Sequence, residues 1–514
     1  MNLSKDTTNT ALTHSSHIGS FFSHFKNDLP ASIVVFFVAL PLCLGIALAS
    51  GAPLFSGIIA GVVGGVIIGF ASGSPLGISG PAAGLAVIVA TSISTLGSWP
   101  TFLLAVVLAG VFQLLMGFGK AGFIAFFFPS SVIKGMLSGI GLLIIIKQVP
   151  YSIGYNPSAT NIADSITHGA LLIGIVSMLI LLLWEQILAK KHRVFQLLQG
   201  PIVVVAFGVG INFLYQTGAL PFLLNEDQLV RLPVANSLSE FLTFFTFPDF
   251  SAITNFEVWK IAFVLAIVAS LETLLCVEAT DKLDPYKRVT PTNRELKAQG
   301  LGNIFSGLIG GLPLTQVIVR SSANINFGGK TKLSAILHGV FLLVSALTIT
   351  QWLNMIPLAS LATILILVGY KLAKPSLFKT MYQLGWEQFI PFSVTIVGIL
   401  TMDLLKGIIV GMIAGIYFTL HHSYRNAYHM KNLVHTEDGQ EIRHLVLAEE
   451  VSFFNKGSII QTLESIPSNS KVIIDCSNSK SIAYDVVELI QNYKDNAKLK
   501  NISVETIKFI EPKK

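Results

Sequence analysis

From about Leu29 to about His421 the chain is a succession of apolar runs broken by short polar stretches. About 14 of these runs are long enough to cross a bilayer or part of one, a full crossing needing ~20 residues. Two of them are interrupted in the same way. GISGPAAGLAVIV at residues 77–89 and GGLPLTQVIVR at 310–320 each place a Gly/Pro break inside hydrophobic sequence and then start a fresh apolar helix. The free N–H groups of a helix N-terminus then sit at membrane depth, where they are costly unless a polar or anionic group meets them. The helix dipole makes that end partly positive, so the pattern predicts two half-helices facing an anion, as in transporters built from two repeats. Beyond about Tyr424 the pattern changes. HLVLAEEVSFF, GSIIQTLESI, KVIIDCS, YDVVELIQNYKDNAK and ISVETI alternate Val/Ile-rich strand-like runs with amphipathic helix-like ones, which predicts a small α/β domain. At roughly 80 residues it is near the lower end of what folds alone, so packing in a dimer or against the membrane part would support it. The expected organisation is an N-terminal segment 1–27, a membrane domain 28–423 and a tail domain 424–514.

Composition agrees with this pattern. Of 514 residues, 52% are hydrophobic and 12% charged, about half the charged share of soluble domains. Most of the chain belongs in lipid. The first ~25 residues carry no apolar stretch of the kind a cleaved signal needs, so the N-terminus is expected in the cytoplasm. Net charge is +6, but the placement of Lys and Arg says more than the sum. With a cytoplasmic start, three basic clusters fall inside: Lys190, Lys191 and Arg193; Lys282, Lys287, Arg288, Arg294 and Lys297; Lys371, Lys374 and Lys379. The loop from about Gly218 to Glu257 carries only Arg231 against several carboxylates and should face outward. The tail then returns to the cytoplasmic face of the inner (cytoplasmic) membrane.

Candidate chemistry collects at the two breaks. In the first, Ser79, Gly80, Pro81, Ala82, Ala83 and Gly84 are small enough to let an oxyanion approach the amides. In the second, Pro313, Leu314, Thr315 and Gln316 are expected to start the half-helix, with Thr315 and Gln316 offering side-chain donors. Arg320 follows roughly one and a half to two turns deeper. A fixed cation inside a membrane segment is expensive and normally functional. Its expected role is positive potential beside the anion; snorkelling to the interface or pairing with a carboxylate are the structural alternatives. Glu272, in IAFVLAIVASLETLLCVEA, is the other ionisable group deep in a segment. Protonated, it would be a proton-coupling group; ionised, it could help hold Na⁺ or pair with Arg320. Glu278 and Asp281 fall near the cytoplasmic end, where solvation or pairing with Lys282 is expected. Cys43, Cys276 and Cys476 are an odd number at unrelated spacings, which suggests packing residues and no disulfide framework. His421, His422, His429 and His435 suit a membrane-exit linker better than a metal site. No zinc spacing, GxSxG or GxxxxGKS pattern is present, so neither an enzyme nor a phosphate-loop protein is expected, nor a nucleic-acid partner.

Five collinear blocks make the chain resemble a SulP-type anion transporter of the sulfate-permease family over nearly its whole length. They are DLPASIVVFFVALPLCLGIALASGAPLFSGIIAG from Asp28, GISGPAAGLAVIV from Gly77, PSSVIKGMLSGIGLLI from Pro129, ASLETLLCVEA from Ala269 and NRELKAQGLGNIFSGLIGGLPLTQVIVRSSANINFGGKTKLSAILHG from Asn293. The resemblance implies an α-helical polytopic protein of about 14 segments in two inverted seven-segment repeats, divided into core and gate domains. It also implies an anion held between segments 3 and 10, a dimer, and a cytoplasmic STAS domain. Sodium-coupled relatives are expected to carry Asp where this chain has Glu272 and a hydroxyl where it has Cys276. Thr273 remains as an oxygen, so the coupling ion is expected to be H⁺ or Na⁺, with no other cofactor. Many members carry Pro-Gln where this chain has Pro41-Leu42, which favours a small anion held by backbone amides. The wording of segments 1 and 3 is similar to the subgroup associated with carbonic anhydrases, implying bicarbonate as substrate and carbonic anhydrase or a STAS-binding regulator as partner. In the tail, Asp485 lies near the serine that related domains phosphorylate, with Ser479 and Ser481 nearby. The resulting expectation is alternating-access transport of bicarbonate coupled through Glu272. Sulfate transport, anion exchange or a channel are the alternatives.

Overall fold

The computed structural model describes residues 24–122, 129–155, 166–188, 191, 200–235, 237–402, 404–425, 428–433 and 442–509. The segment 1–23, Lys190, Arg193 and His435 lie outside the described residues. By packing, the chain divides into two units. One holds everything up to Lys379 together with Ile396–Gly407; the other holds Thr380–Thr395 and Ile408–Lys514.

In a bilayer only helices satisfy their own backbone along a single segment, and helices dominate here. In chain order they are α1 (Phe25–Ala49), α2 (Leu54–Ala71), α3 (Ala83–Leu96), α4 (Trp99–Phe118), α5 (Ser130–Ser152), α6 (His168–Leu188) and α7 (Gly200–Gln216), then α8 (Phe256–Leu283), α9 (Thr292–Leu308), α10 (Ile318–Asn326), α11 (Leu333–Thr348), α12 (Leu358–Leu372), α13 (Trp386–Thr401) and α14 (Leu404–Arg425). Among the described residues, seven helices are long and apolar enough to cross a membrane, and five apolar helices of 10–17 residues are shorter. Two very short strands, β1 (Ser79–Pro81) and β2 (Leu314–Gln316), lead into α3 and α10. Each is the third apolar element of its half of the series, the placement that a repeated architecture predicts. Helix α1 carries Pro30 and Pro41 and is buried along most of its length, Cys43 and Leu44 included. Helix α2 contains a π-turn over Gly64–Ile68, a local widening that recurs near functional sites.

The carboxy-terminal elements are β3 (Tyr428–Leu433), β4 (Ile442–Leu447), β5 (Glu450–Val451), α15 (Lys456–Glu464), β6 (Lys471–Asp475), β7 (Ser481–Ile482), α16 (Tyr484–Ala497) and β8 (Ser503–Ile507). The main sheet has the order β3-β4-β6-β8. β3 pairs antiparallel with β4, while β4 with β6 and β6 with β8 are parallel, so α15 and α16 serve as the crossovers that parallel neighbours require. Leu445, Leu447, Ile459, Leu463, Val472, Ile474, Val486 and Ile490 form the core between sheet and helices. This is the predicted α/β domain, consistent with a STAS domain. β3 and the two-residue β7 are additions that the alternating pattern did not predict.

Candidate functional site

Strands β1 and β2 are where the two halves of the series meet. They pair antiparallel, with Ser79 opposite Gln316, Gly80 opposite Thr315 and Pro81 opposite Leu314. The Val317 N–H extends the pairing by donating to Ile78 O at 2.9 Å. Both strands are fully buried and each runs directly into a helix. Ala82 and Val317, the residues before those helices, are extended and provide no side-chain cap. The first-turn N–H groups of α3 and α10 therefore have no intrahelical acceptors, and both helix starts border one cavity of about 150 Å³. Pro81, Ala83 and Gly84 line it from one side and Val317, Ile318, Val319 and Arg320 from the other. Glu272 and Cys276 of α8 and Leu42 and Ile46 of α1 contribute, with Leu137, Leu275, Val368 and Leu372 completing a largely apolar wall.

Arg320 is the third residue of α10 and is 1% exposed. Its Nη2 donates to the Cys43 thiol sulfur at 3.4 Å, while Nε and Nη1 have no partner. Among the described residues no carboxylate pairs with it. It therefore neither snorkels nor forms the ion pair with Glu272 that the sequence left open. A buried guanidinium without a counter-charge costs several kcal/mol, and here it adds to the positive ends of two helices. An anion offsets all three. Glycine lets both charged side chains sit against the backbone: a Cβ on Gly80 would lie 2.2 Å from Arg320 Nη1, and one on Gly84 would lie 2.7 Å from each Glu272 carboxylate oxygen, so either would push the facing side chain aside. Glu272 rests against the Gly84 amide, with Oε2 buried and unpartnered.

The remaining sequence candidates are distributed around this centre. Pro313 leads into β2, and Leu314, Thr315 and Gln316 form that strand instead of the expected helix start. The helix begins at Ile318, which places Arg320 in its first turn and not one and a half turns deeper. The reason is the strand pairing, which holds the backbone extended through Gln316. Thr315 and Gln316 are fully buried and absent from the cavity wall; Gln316 Nε2 donates to Thr280 Oγ1 at 3.1 Å. Thr273 is fully buried too, and its hydroxyl accepts the Gln316 N–H at 3.3 Å. Ser79 accepts from Gln299 Nε2 at 2.7 Å, away from the cavity. Cys276 lines the cavity and Cys43 touches Arg320, so two of the cysteines do more than pack. Glu278 pairs with Lys282 at 2.5 Å, whereas Asp281 accepts from the Thr290 N–H and hydroxyl, both at 2.7 Å. Asp485 lies in the first turn of α16. His421 stacks on Tyr417.

Sequence reasoning missed the support beneath the strands. Helix α9 carries Glu295, Gln299, Asn303 and Ser306 on one buried stripe. Glu295 accepts from Ser72 Oγ at 2.5 Å and the Gly73 N–H at 3.1 Å. Asn303 Nδ2 donates to Leu314 O at 3.1 Å while its Oδ1 accepts the Leu314 N–H at 2.8 Å, and Ser306 donates to Leu312 O at 2.7 Å. Asn303 thereby acts as the neighbouring strand that β2 lacks. Polar residues spaced at i, i+4 and i+8 within NRELKAQGLGNIFSGL were the available signal.

The Sulfate permease family profile matches residues 25–395. The Bicarbonate transporter BicA of Picosynechococcus sp. is 27% identical over 418 residues, covering 77% of this chain and 70% of that protein. A Sodium-independent sulfate anion transporter of Bos taurus is 24% identical over 519 residues, 91% of this chain and 82% of that one. The structure of the murine Solute Carrier 26 family member A9 anion transporter, in the inward-facing state, shares the fold with a TM-score of 0.75 at 16% identity, covering 97% of this chain and 90% of that one. The chain belongs to the Sulfate permease family and is a multi-pass membrane anion transporter, not an enzyme.

Proposed function

We propose that the chain is a secondary active transporter of small inorganic anions, bicarbonate first among them, which works by alternating access around the Arg320 cavity. The observation that carries this reading is the buried guanidinium without a counter-charge, set where two helix N-termini converge. One fixed cation in a mainly apolar cavity suits a small monovalent oxyanion. A divalent one would bring a net negative charge into a low-dielectric site unless a cation travelled with it. Leu42, in the place of a side-chain amide, supports the same preference by leaving recognition to backbone N–H groups and Arg320. The core elements α3, α8 and α10 would move as a body, exposing the cavity to each side in turn.

Glu272 is the coupling residue in this scheme. It borders the same cavity, and its unpartnered Oε2 can accept a proton that travels with the anion. Sodium prefers a shell of oxygens, and the neighbours Cys276 and Thr273 supply a thiol and a hydroxyl already engaged by β2. The proton is therefore the favoured coupling ion. The chain would sit in the inner (cytoplasmic) membrane with its N-terminus and carboxy-terminal unit in the cytoplasm. That unit would serve homodimer formation or docking of a regulator or carbonic anhydrase.

Uptake of labelled bicarbonate and labelled sulfate into proteoliposomes, each with and without an inward proton or sodium gradient, tests the scheme. Bicarbonate uptake driven by the proton gradient and lost in Glu272→Gln is expected. Sulfate uptake alone would reassign the substrate, sodium drive would reassign the coupling ion, and gradient-independent flux would remove Glu272 from coupling.

A further inference from the structure

A second cavity, of about 360 Å³, stacks on the same three helices that form the Arg320 site. The central cavity takes Gly84 from α3, Leu137 from α5 and Glu272 from α8. The second takes Thr91 and Thr95 from α3, Lys147 from α5 and Lys260 from α8, roughly 10–20 Å further along each helix at 1.5 Å per residue. Ile140 on α5 and Val268 on α8, each 1% exposed, fall between the two lining sets along those helices.

The charges in this second cavity are unevenly matched. Glu257 is engaged by Lys260, whose Nζ reaches both carboxylate oxygens at 3.2 Å. Lys147 has neither a carboxylate nor a hydrogen-bond partner among the described residues. The cavity thus carries one uncompensated positive charge, the exposed Lys147 ammonium, on a helix that also lines the Arg320 cavity. An ammonium in such a cavity raises the local concentration of anions, and the effect weakens as salt screens it.

We propose that this cavity is an anion-capture vestibule, in which Lys147 holds a small inorganic oxyanion before it passes Ile140 and Val268. The proposal rests on the anion-transport reading of the central cavity. Lys147 touches the anion only on its way in, so its removal lowers capture and leaves the transport cycle intact.

The test is uptake of labelled bicarbonate and of labelled sulfate into right-side-out and inverted membrane vesicles carrying the full chain, over a range of ionic strength. Lys147→Gln is expected to raise KM by about 3- to 10-fold with maximal rate within about twofold, Lys147→Arg to restore KM, and the salt dependence of KM to flatten in Lys147→Gln. The effect should be confined to one vesicle orientation. An unchanged KM in Lys147→Gln, or an equal change in both orientations, would overturn the proposal. So would an effect that disappears in proteoliposomes free of anionic lipid, which would assign the cavity to a lipid headgroup phosphate. Wild-type vesicles that carry neither anion would instead count against the transport reading itself, which separates the two failures.

Discussion

Arg320 owes its chemistry to what is missing around it. Its only hydrogen-bond partner among the described residues is a thiol sulfur, a weak acceptor that leaves the positive charge unspent. A hydrogen bond to a charged group is worth ~1.5–3 kcal/mol, so Arg320→Gln is expected to weaken anion binding by roughly 10- to 100-fold or more in a substrate-concentration series. Cys43→Asp should be as damaging for the opposite reason, because a carboxylate there would neutralise the guanidinium from behind, whereas Cys43→Ser should leave uptake near wild type. Gly84→Ala separates the two functions of the cavity. The new Cβ would displace the Glu272 carboxylate, so gradient-driven uptake should fall by an order of magnitude or more while gradient-independent anion exchange persists. Equal loss of both would show that Glu272 is not a separate coupling group.

At the scale of elements, the site depends on two three-residue strands that could not persist unaided at membrane depth. Helix α9 supplies what they lack, and Asn303 is its most demanding contact. Asn303→Ala would leave the Leu314 N–H and O and the Gln113 amide oxygen buried without partners, at ~1–3 kcal/mol for each unsatisfied group. A thermal unfolding measurement on the detergent-solubilised protein should show a clearly lowered midpoint, with Asn303→Gln giving partial recovery. The half-helix pair, Arg320 and Glu272 were legible in the sequence because Gly/Pro breaks and intramembrane charges stand out against an apolar background. The register at the second break was not. PLTQV reads as a helix start until the partner strand at Ser79–Pro81 is known, and that pairing spans more than two hundred residues of sequence. Cys43 was passed over as packing because nothing local ties it to a residue on α10. The tail was read from its alternating strand and helix patterns; the two-residue β7 and β3 escaped, the latter because its pairing with β4 is a contact that the periodicity of either strand alone does not reveal.

At the scale of the whole molecule, the membrane-spanning helices and the α/β domain follow different physics. Within the carboxy-terminal unit, which also holds most of α14, residues 428–433 and 442–509 form an α/β domain, and the stability of that domain should respond to pH in the ordinary way. Hydrogen bonds from the Ser477 hydroxyl and N–H, with His444 at 3.3 Å, hold Asp475 below the usual carboxylate range. A depressed carboxylate contributes stability above its unfolded value near ~4, and that contribution is lost as pH falls through the folded value. Limited proteolysis of the full chain between pH 7 and pH 3 should therefore show the carboxy-terminal unit becoming sensitive at the acid end, and Asp475→Asn should flatten that dependence. Arg320 is an uncompensated charge deep inside the membrane part among the described residues, and in the proposed scheme it binds the transported anion. Uptake of labelled bicarbonate into proteoliposomes as a function of its concentration, for wild type, Arg320→Lys and Arg320→Gln, tests that claim most directly. Saturable uptake in wild type, a modestly raised KM in Arg320→Lys and a KM raised roughly 10- to 100-fold or more in folded Arg320→Gln is the predicted result. Undiminished saturable uptake in Arg320→Gln would contradict it.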